Sequence, residues 1–465
     1  MKPIDIPEIC QKIGAKLRYG AGAEPVRSVV IDSRQVEPGS LFIALKGERT
    51  DGHEYLEQAL EQGAAAVLAQ SDALADRVLS CPGDRAVMET ENTELALERL
   101  AQVYRDQFNL PVVGVTGSVG KTSCKDLIAA ALSGRLRVLK TQGNYNNNVG
   151  LPLTVFGIEE GTQAAVLEMG MDHFGEISRL SRIARPRIGV ITNIGISHIE
   201  NLGSREGILR AKLEILDYME PGGLLLLNGD DAMLYGLKDG LTALYYGYEA
   251  HNDARILTAE ITAEGRLCVE AIYRGEDYRF VLNTPGRHMA YNAMPAIMTA
   301  VFLGLSKQEI VRGLESFVPT QMRLNVVNTP RYTILDDSYN ASPVSMKAAL
   351  DTLAALPGNG RRVAILGDMY ELGDYAVLGH REVGNHAASL KNLDAVLCAG
   401  SNASYIYQEA AENPELRCHY FETLEDLKKK LFDILQKGDI ILVKASRGMA
   451  FDEICRMILS DIYSS

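Results

Sequence analysis

The chain has 465 residues and is 46% hydrophobic, a length that suggests about three domains of ordinary size. Its formal net charge of −13 argues against a nucleic-acid-binding protein, which normally presents a basic face to the phosphates. No segment approaches the roughly 18 consecutive apolar residues of a membrane span, and charges interrupt the first residues. We therefore expect a cytoplasmic protein without membrane insertion.

The cysteines are scattered along the chain and include no CxxC pair. Their number is odd, which with this spacing predicts reduced thiols rather than disulfides. They occupy positions 10, 81, 124, 268, 398, 418 and 455.

The first segment, residues 1–109, contains short strand-like and helical patterns. The runs SVVIDSR, SLFIALKG and AAAVLAQ are rich in β-branched or apolar residues, with a helical stretch near 55–63 between the last two. A helix is predicted over 94–108, where Leu97, Leu100 and Tyr104 recur at helical spacing. These patterns predict a small α/β domain.

The second segment, residues 110–318, alternates apolar strands with helices. PVVGVTG, AAVLEMG, RIGVITNIG and GLLLLNGD predict a mainly parallel sheet covered on both faces. Residues 255–283 alternate with period two and predict an antiparallel patch, and a helix is expected over 288–304. The third segment, 319–465, repeats the parallel pattern without a GxGxxG fingerprint and is expected to be Rossmann-like.

The stretch VTGSVGKTSCK, residues 115–125, resembles a phosphate-binding loop between a strand and a helix. Gly120, Lys121 and Thr122 match the end of the Walker A pattern GxxxxGK[ST], but Val115 occupies the position of its leading glycine. Backbone N–H groups at a helix N-terminus suit phosphate oxygens, while lysine suits the β- and γ-phosphates and threonine a Mg²⁺ ion. The candidate nucleotide-binding residues here are Thr116, Gly117, Ser118, Val119, Gly120, Lys121, Thr122 and Ser123.

Three residues downstream have the chemistry of a charged site. Glu168 ends the strand AAVLEMG and His198 follows RIGVITNIG, so both are expected at the ligand-binding edge of a parallel sheet. Lys212 shares a helix side with Ile208 and Leu216, where a lysine is costly unless its ammonium reaches solvent or has a function. Periodicity alone leaves both explanations for Lys212 open.

The shorter motif TGSVGKTS resembles the ATP loop of the Mur ligases and of their relative folylpolyglutamate synthase, and the resemblance to Mur ligases extends over essentially the whole chain. It implies an ATP-dependent amide ligase that works through an acyl phosphate. It also implies that Lys212 is carbamylated by CO₂ and that one or two Mg²⁺ ions are held by Thr122, Glu168, His198 and the carbamate. Lys121, His198, Lys212 and Arg323 are the catalytic residues that the resemblance implies.

The first segment resembles the uridine-nucleotide-binding domain of this family. The similarity lies in DSR at 32–34 and in SLFIALKGERTDGHEYLEQALEQGA at 40–64. In the second segment, the Asn-rich GNYNNNVGLPLT at 143–154 is expected to hydrogen-bond a sugar–peptide substrate and the phosphates. Solvated charges and a plain polar loop are the alternatives. The residues expected to bind the UDP-substrate are Ser33, Arg34, Lys46, Asn144, Asn147, Asn148, Thr192 and Arg205.

The resemblance also assigns ATP contacts in the later part of the chain. Asn292, in GRHMAYNAMPA, corresponds to the family residue at adenine, and Arg323 to the arginine at the γ-phosphate. Asp337 and Asn340, in DDSYNASP, are expected to touch ATP, and the Ser-Pro that follows them is typical of a helix start.

Two segments, DDSYNA and GDMYELG, favour one substrate pair within the family. They are most similar to the member that joins D-Ala-D-Ala to UDP-MurNAc-tripeptide, and the DNPR-like tetrapeptide of a ligase that adds diaminopimelate or lysine is not found. His380, Ser446 and Arg447 are expected to face the dipeptide, although surface positions are equally compatible with the sequence. The family suggests a monomer. A ligase that adds a single amino acid and a P-loop nucleotide switch remain the alternative functions.

Overall fold

The computed structural model describes residues 1–47, 50–75, 77, 79–80 and 84–461. Its α-helices, in chain order, are α1 (Ile6–Ile13), α2 (Leu56–Glu61), α3 (Thr93–Arg105), α4 (Lys121–Ser133), α5 (Gly150–Val155), α6 (Glu176–Ala184), α7 (Ile199–Leu202), α8 (Arg205–Leu213), α9 (Ala232–Tyr235), α10 (Met289–Phe302), α11 (Lys307–Glu315), α12 (Pro343–Ala355), α13 (Ala376–Ser389), α14 (Ala403–Ala410), α15 (Leu424–Ile434) and α16 (Asp452–Asp461).

The strands, in the same order, are β1 (Lys16–Tyr19), β2 (Ser28–Val30), β3 (Ser40–Ile43), β4 (Ala66–Gln70), β5 (Ala86–Thr90), β6 (Val112–Thr116), β7 (Val138–Lys140), β8 (Ala164–Glu168), β9 (Ile188–Ile191), β10 (Leu224–Asn228), β11 (Leu244–Gly247), β12 (Ala254–Ile261), β13 (Leu267–Tyr273), β14 (Glu276–Leu282), β15 (Asn325–Asn328), β16 (Thr333–Asp336), β17 (Arg362–Gly367), β18 (Ala395–Ala399), β19 (Arg417–Phe421) and β20 (Ile440–Lys444).

By its internal contacts the chain divides into two compact units. The first comprises residues 1–116, 136–189 and 213–224, and the second comprises 117–135, 190–212 and the residues from 225 onward. The boundaries drawn from the sequence after residues 109 and 318 remain predictions, because this division follows a different criterion.

The first unit contains a five-stranded sheet in the order β1-β5-β4-β3-β2. Its strands run parallel except for β1, which pairs antiparallel with β5 at the edge. Phe42 and Val67 from the sheet pack with Leu56 and Leu60 of α2 in one buried cluster. The small α/β domain predicted for the first segment is therefore confirmed.

In the same unit, but in a different sheet, β8 lies parallel between β6 and β7, and Glu168 is in register with Val115.

In the second unit, a stretch of sheet changes from parallel to antiparallel pairing. Strands β10, β11 and β12 are parallel, whereas β12, β13 and β14 form an antiparallel meander. This confirms the antiparallel patch predicted over 255–283. Helix α10 packs on β12 and on α4, the helix that follows the phosphate loop.

The last part of the second unit is a six-stranded sheet in the order β15-β16-β20-β17-β18-β19. Only β15, at one edge, is antiparallel to its neighbour. Neighbouring residues of β17 pack on opposite faces: Ala364 lies in a buried cluster with α12–α14, and Val363 lies in another with α15 and α16. Helices thus cover both faces, as the sequence predicts. Helix α12 begins as expected, with Ser342 as N-cap and Pro343 in its first turn.

The last two features concern membrane-spanning helices and the state of the cysteines. Among the described residues, no helix has both the length and the hydropathy that crossing a bilayer requires. The six cysteines that the structure describes are all free thiols, and Cys81 lies outside the described residues.

Candidate active site

The phosphate loop joins β6 to α4 and has glycine at both positions where its backbone turns left-handed. Gly117 has a φ of 148° and Gly120, the N-cap of α4, a φ of 87°. Val115 is an ordinary, fully buried strand residue, so the position of the missing Walker glycine needs no special conformation. Lys121 Nζ donates a hydrogen bond to the Gly117 carbonyl, 2.9 Å away. The Lys121 side chain therefore lies across the loop in which it is predicted to bind the β- and γ-phosphates.

A second segment, which we call the 192–195 segment, runs beside the loop directly after β9. Thr192 Oγ1 donates to the Val119 carbonyl at 2.6 Å, and Asn193 Nδ2 donates to the same carbonyl at 2.8 Å. The Val119 N–H in turn donates to Asn193 Oδ1 at 2.9 Å. A Cβ on Gly117 would lie 1.9 Å from Thr192 Oγ1, so only glycine fits there.

The 192–195 segment is itself held by side chains from elsewhere in the second unit. Asp231 Oδ2 accepts a hydrogen bond from the Ile194 N–H and Arg205 Nη2 donates one to the Ile194 carbonyl, each at 2.7 Å. Thr192 and Arg205 are predicted to bind the UDP-substrate. In this structure Thr192 bonds the phosphate loop, and Arg205 bonds the segment that supports the loop. Strand-to-loop spacing alone did not reveal these hydrogen bonds, and binding of the UDP-substrate by Thr192 and Arg205 stays a prediction.

Lys212 is buried on α8, with 2% of its surface exposed. None of the hydrogen bonds and ion pairs found among the described residues involves its ammonium group. Burial, together with the nearby charge of Lys121, lowers the pKa of Lys212 well below its ordinary value. Of the two explanations left open by periodicity, the one in which the ammonium reaches solvent is therefore excluded.

Glu168 lies at the carboxyl end of β8 in the first unit and is 2% exposed. Asn146 Nδ2 donates to Glu168 Oε1 at 2.8 Å, and the Glu168 N–H donates to Thr141 Oγ1 at 3.0 Å. The Asn-rich loop therefore orients this carboxylate through Asn146, a residue that the sequence analysis did not single out.

The other asparagines predicted for the UDP-substrate occupy different environments. Asn147 Oδ1 accepts from the Gly150 N–H at 2.8 Å near the start of α5, and Asn144 is exposed. The amide oxygen of Asn148 is buried without a hydrogen-bond partner in the described structure. Asn148 thus has a buried acceptor without a partner among the described residues, whereas the Asn144 side chain faces solvent.

Of the UDP-substrate residues predicted in the first segment, Ser33 is buried and Arg34 is exposed. The Arg34 guanidinium pairs with Asp32 at 2.7 Å and holds the pKa of that carboxyl at about 2. The backbone of Lys46 pairs with that of Asp51 in an isolated antiparallel β-bridge after β3. Arg34 and Lys46 thus leave cations at the surface of this unit.

His198 begins α7 with a left-handed φ of 62°. Its Nδ1 lies 3.0 Å from Oε2 of Glu371, itself at a φ of 62° in the GDMYELG segment. Ile196 packs against the buried cluster of the last sheet. The loop with the predicted metal ligand thus touches the last sheet's domain, which sequence spacing did not indicate.

Asn292 is a residue of α10, and its side chain lies next to Gly120, the last residue of the phosphate loop. Its Oδ1 is 2.8 Å from where a Cβ on Gly120 would stand, and the residue is 6% exposed. His288, one turn earlier, is buried, and burial lowers the pKa of its imidazole. The predicted adenine residue and the phosphate loop are therefore neighbours.

Arg323 is presented by a strained stretch of backbone. Met322 and Leu324 on either side have φ angles of 61° and 51°, which non-glycine residues rarely adopt. The Arg323 guanidinium lies over the Tyr339 ring, 4.2 Å from its centroid, and Arg447 lies 5.7 Å from the same centroid. Two arginines thus share one aromatic ring next to the DDSYN motif.

Asp337, predicted to touch ATP, is engaged inside the protein. Its Oδ2 pairs with Lys444 Nζ at 2.5 Å, and its Oδ1 accepts from the Leu324 N–H at 3.1 Å. Lys444 also donates to the Asn340 carbonyl at 2.9 Å. The carboxylate therefore fixes the backbone beside Arg323, and the side chain of Asn340 remains the more available group for a nucleotide.

The residues predicted to face the dipeptide fall into two kinds. His380 is fully buried: Nε2 accepts from the Met369 N–H at 2.9 Å, and Nδ1 lies 2.6 Å from the Ala376 carbonyl. Ser446 Oγ accepts from the Tyr370 N–H at 2.8 Å. His380 and Ser446 thus bind the backbone of the GDMYELG segment, whereas Arg447 is exposed. Contact of these three residues with the dipeptide stays a prediction.

The fold and this loop are those of an α/β protein with a strand, a glycine-rich loop and a helix in the arrangement typical of nucleotide-binding proteins. Family models match the chain in three consecutive parts: the Mur ligase family, catalytic domain at 25–107, the Mur ligase middle domain at 115–300 and the Mur ligase, glutamate ligase domain at 322–447. The chain belongs to the Mur ligase family, and the three matches agree with the predicted three-domain organisation.

Individual relatives narrow the similarity further. The UDP-N-acetylmuramoyl-tripeptide–D-alanyl-D-alanine ligase of Bacillus subtilis is 41% identical over 436 residues, which are 93% of either chain. A crystal structure of MurF from Acinetobacter baumannii superposes with a TM-score of 0.87 at 27% identity and covers 100% of both chains. MurF of Thermotoga maritima in complex with ADP gives a TM-score of 0.81 at 28% identity, covering 94% of this chain and 98% of that one.

Proposed function

We propose that this chain is an ATP-dependent, ADP-forming ligase that joins D-Ala-D-Ala to UDP-MurNAc-tripeptide, giving the UDP-MurNAc-pentapeptide precursor of peptidoglycan. The relatives that match nearly its whole length have this activity in their names. The observation that carries the proposal is the placement of Lys121 on a braced phosphate loop near the buried Lys212. The free thiols of the described cysteines support a reducing, cytoplasmic setting.

The reaction that this site would perform has two steps. The terminal carboxylate of the tripeptide attacks the γ-phosphorus, a P–O bond forms, and the bond to ADP breaks. Lys121 and Arg323 offset the negative charge on the transferring phosphoryl group. The amine of D-Ala-D-Ala then attacks the acyl carbon, loses a proton and expels phosphate, which leaves the new amide.

We propose that Mg²⁺ is held by the Thr122 hydroxyl, Glu168, His198 and a carbamate on Lys212, three of which offer the oxygen ligands that Mg²⁺ prefers. In the described part of the chain, no three His, Cys, Asp or Glu side chains form a cluster that could hold a metal by themselves. Mg²⁺ in nucleotide sites commonly takes only one or two carboxylates and completes its shell with phosphate and water. Glu168, buried at a strand end and oriented by Asn146, has the chemistry of such a carboxylate. When bound, the ion would neutralise phosphate charge.

We propose the carbamate because of the state of Lys212. A buried amine whose pKa is lowered is largely neutral near pH 7, and only the neutral amine is a nucleophile. Lys212 would attack the carbon of CO₂, form an N–C bond and release a proton. A neutral buried amine would thereby become a carboxylate-like anion, the charge that a metal site requires.

The proposal is tested by phosphate release with ATP, Mg²⁺ and UDP-MurNAc-tripeptide, with and without D-Ala-D-Ala. We expect release to require the dipeptide and the product to be the pentapeptide by mass spectrometry. Release with a free amino acid instead of the dipeptide would identify a single-amino-acid ligase. Release that needs neither the UDP-substrate nor an amine would identify a nucleotide switch, and either result would overturn the proposal.

The carbamate is tested separately with Lys212→Ala. We expect this variant to be inactive and to regain part of its activity with formate or acetate, whose carboxylate can occupy the space left by the side chain. No recovery, in a variant that still binds ADP, would speak against the carbamate while leaving the ligase reaction itself in place.

A further inference from the structure

In the phosphate loop, the backbone N–H and the carbonyl of one residue, Val119, are both hydrogen-bonded by a single side chain. The N–H and the carbonyl of Val119 both bind the Asn193 amide, at 2.9 and 2.8 Å. We infer that Asn193, assisted by Thr192, is a positioning residue for nucleotide binding: it holds the backbone of Val119 so that the following residues present the N-terminus of α4 to the phosphates. This inference deepens the proposed function and rests on it.

The number of bonds between the two segments supports this role. Besides the two bonds of Asn193 and the Thr192 hydroxyl bond, the Ser118 N–H donates to the Asn193 carbonyl at 3.1 Å. The Gly195 N–H donates to Ser118 Oγ at 2.9 Å. Five hydrogen bonds therefore cross between residues 118–119 and the 192–195 segment. A loop bonded in this way is already ordered before nucleotide arrives, which removes an entropic cost of binding.

The 192–195 segment is held in place by hydrogen bonds from outside the phosphate loop. Ile194, the next residue, has its N–H bound by Asp231 and its carbonyl by Arg205, each at 2.7 Å. The position of Asn193 is therefore set by the protein and not by the loop that it contacts. Shifting the asparagine would shift Val119, which immediately precedes the N-cap Gly120.

The test compares Asn193→Ala with Asn413→Ala in the full chain. Asn413 is a matched control, because its amide also makes two bonds to backbone groups, to the Ala388 carbonyl at 2.9 Å and from the Glu415 N–H at 3.0 Å. Both residues are half-buried. ADP affinity is measured by isothermal titration calorimetry, KM values by phosphate release, and folding by circular dichroism and thermal melting.

For Asn193→Ala we expect ADP to bind at least about tenfold more weakly, which corresponds to about 1.4 kcal/mol. We also expect KM for ATP to rise while KM for UDP-MurNAc-tripeptide changes less than twofold, a split that a general loss of stability does not produce. Asn413→Ala should lose thermal stability and keep wild-type ADP affinity. If folded Asn193→Ala binds ADP within twofold of wild type, the inference is overturned.

A second pair keeps the question decidable if Asn193→Ala does not fold. Thr192→Val removes the hydroxyl that bonds the Val119 carbonyl, whereas Thr192→Ser retains it. We expect the serine variant to bind ADP more tightly than the valine variant, and equal affinities would overturn the inference. Failure of the wild-type chain to bind ADP at all would instead contradict the proposed function on which the inference rests.

Discussion

Replacing Lys444 with methionine should destabilise the last domain strongly. The Lys444 side chain is 3% exposed and that of its partner Asp337 is 14% exposed, with 2.5 Å between the charged atoms. In Lys444→Met the carboxylate keeps only the Leu324 N–H, and the Asn340 carbonyl loses its donor. Removing one partner of a buried pair typically costs about 3–5 kcal/mol. Because Asp337 is partly accessible, we expect a loss of about 3 kcal/mol, at the lower end of that range.

The loss is measured by urea unfolding, with a surface pair in the same domain as the control. Lys347 pairs with Glu382 at 3.1 Å, and both side chains are about one-third exposed. Lys347→Met should cost less than about 1 kcal/mol, as is usual for exposed pairs. The double variant Lys444→Met/Asp337→Asn should be more stable than Lys444→Met alone, since it no longer buries an unpaired carboxylate.

Two results would refute this reasoning. One is a Lys444→Met protein within about 0.5 kcal/mol of wild type, the range of an ordinary surface substitution. The other is a double variant no more stable than Lys444→Met, which would show that the unpaired carboxylate is not the source of the loss. If the reasoning holds, folded Lys444→Met should also bind ATP less tightly, because Asp337 would no longer fix the backbone next to Arg323.

Three further predictions concern other residues. Gly117→Ala places a Cβ 1.9 Å from Thr192 Oγ1, so ADP affinity by calorimetry should fall by at least about tenfold; unchanged affinity would contradict the close approach. In CO₂-free buffer, where the proposed carbamate does not form, Lys212→Met should raise the free energy of unfolding at pH 7, because burial lowers the pKa of Lys212 and the unfolded chain binds a proton that the folded chain does not; in urea unfolding this gain should shrink as pH rises toward 10.5, and a pH-independent difference would argue against it. Burial likewise lowers the pKa of His380 below 6.5, so its contribution to stability is full above pH 6.5 and is lost as pH falls below it; His380→Gln should flatten the dependence of unfolding free energy on pH between 7.5 and 5.5, and an unaltered slope would count against a neutral His380.

The sequence predicted those parts of the fold whose signal is local. The buried strands before the phosphate loop and in the last domain are continuous apolar runs, and the meander of β12–β14 alternates with period two, so both were recognised. The edge strands β1, β7, β15 and β19 were missed. They are short and mostly half-buried, and depend on pairing with a neighbour rather than on a pattern of their own.

The candidate site shows the same limit at the level of single residues. Lys121 and Gly120 were found because the loop motif fixes their spacing. Asn193 was not, since its role depends on β9 ending next to a loop more than 70 residues earlier in the chain. A signal did exist: Asn193 follows Thr192 at the carboxyl end of a parallel strand, the edge where polar side chains are most often functional.

For His380 the sequence left a dipeptide contact and a surface position open, and it did not reveal that both ring nitrogens lie against backbone groups of a buried segment.

The support from the 192–195 segment also explains why the phosphate loop does not need the leading Walker glycine. In this chain the loop's conformation depends on two glycines, Gly117 and Gly120, and on hydrogen bonds from outside the loop. The same segment continues to His198, which meets Glu371 of the GDMYELG segment. We therefore expect a movement of the GDMYELG segment to reach the phosphate loop through only a few residues. Nucleotide affinity and the position of the last domain should depend on each other for this reason, and reciprocally, as any coupling between two binding events must.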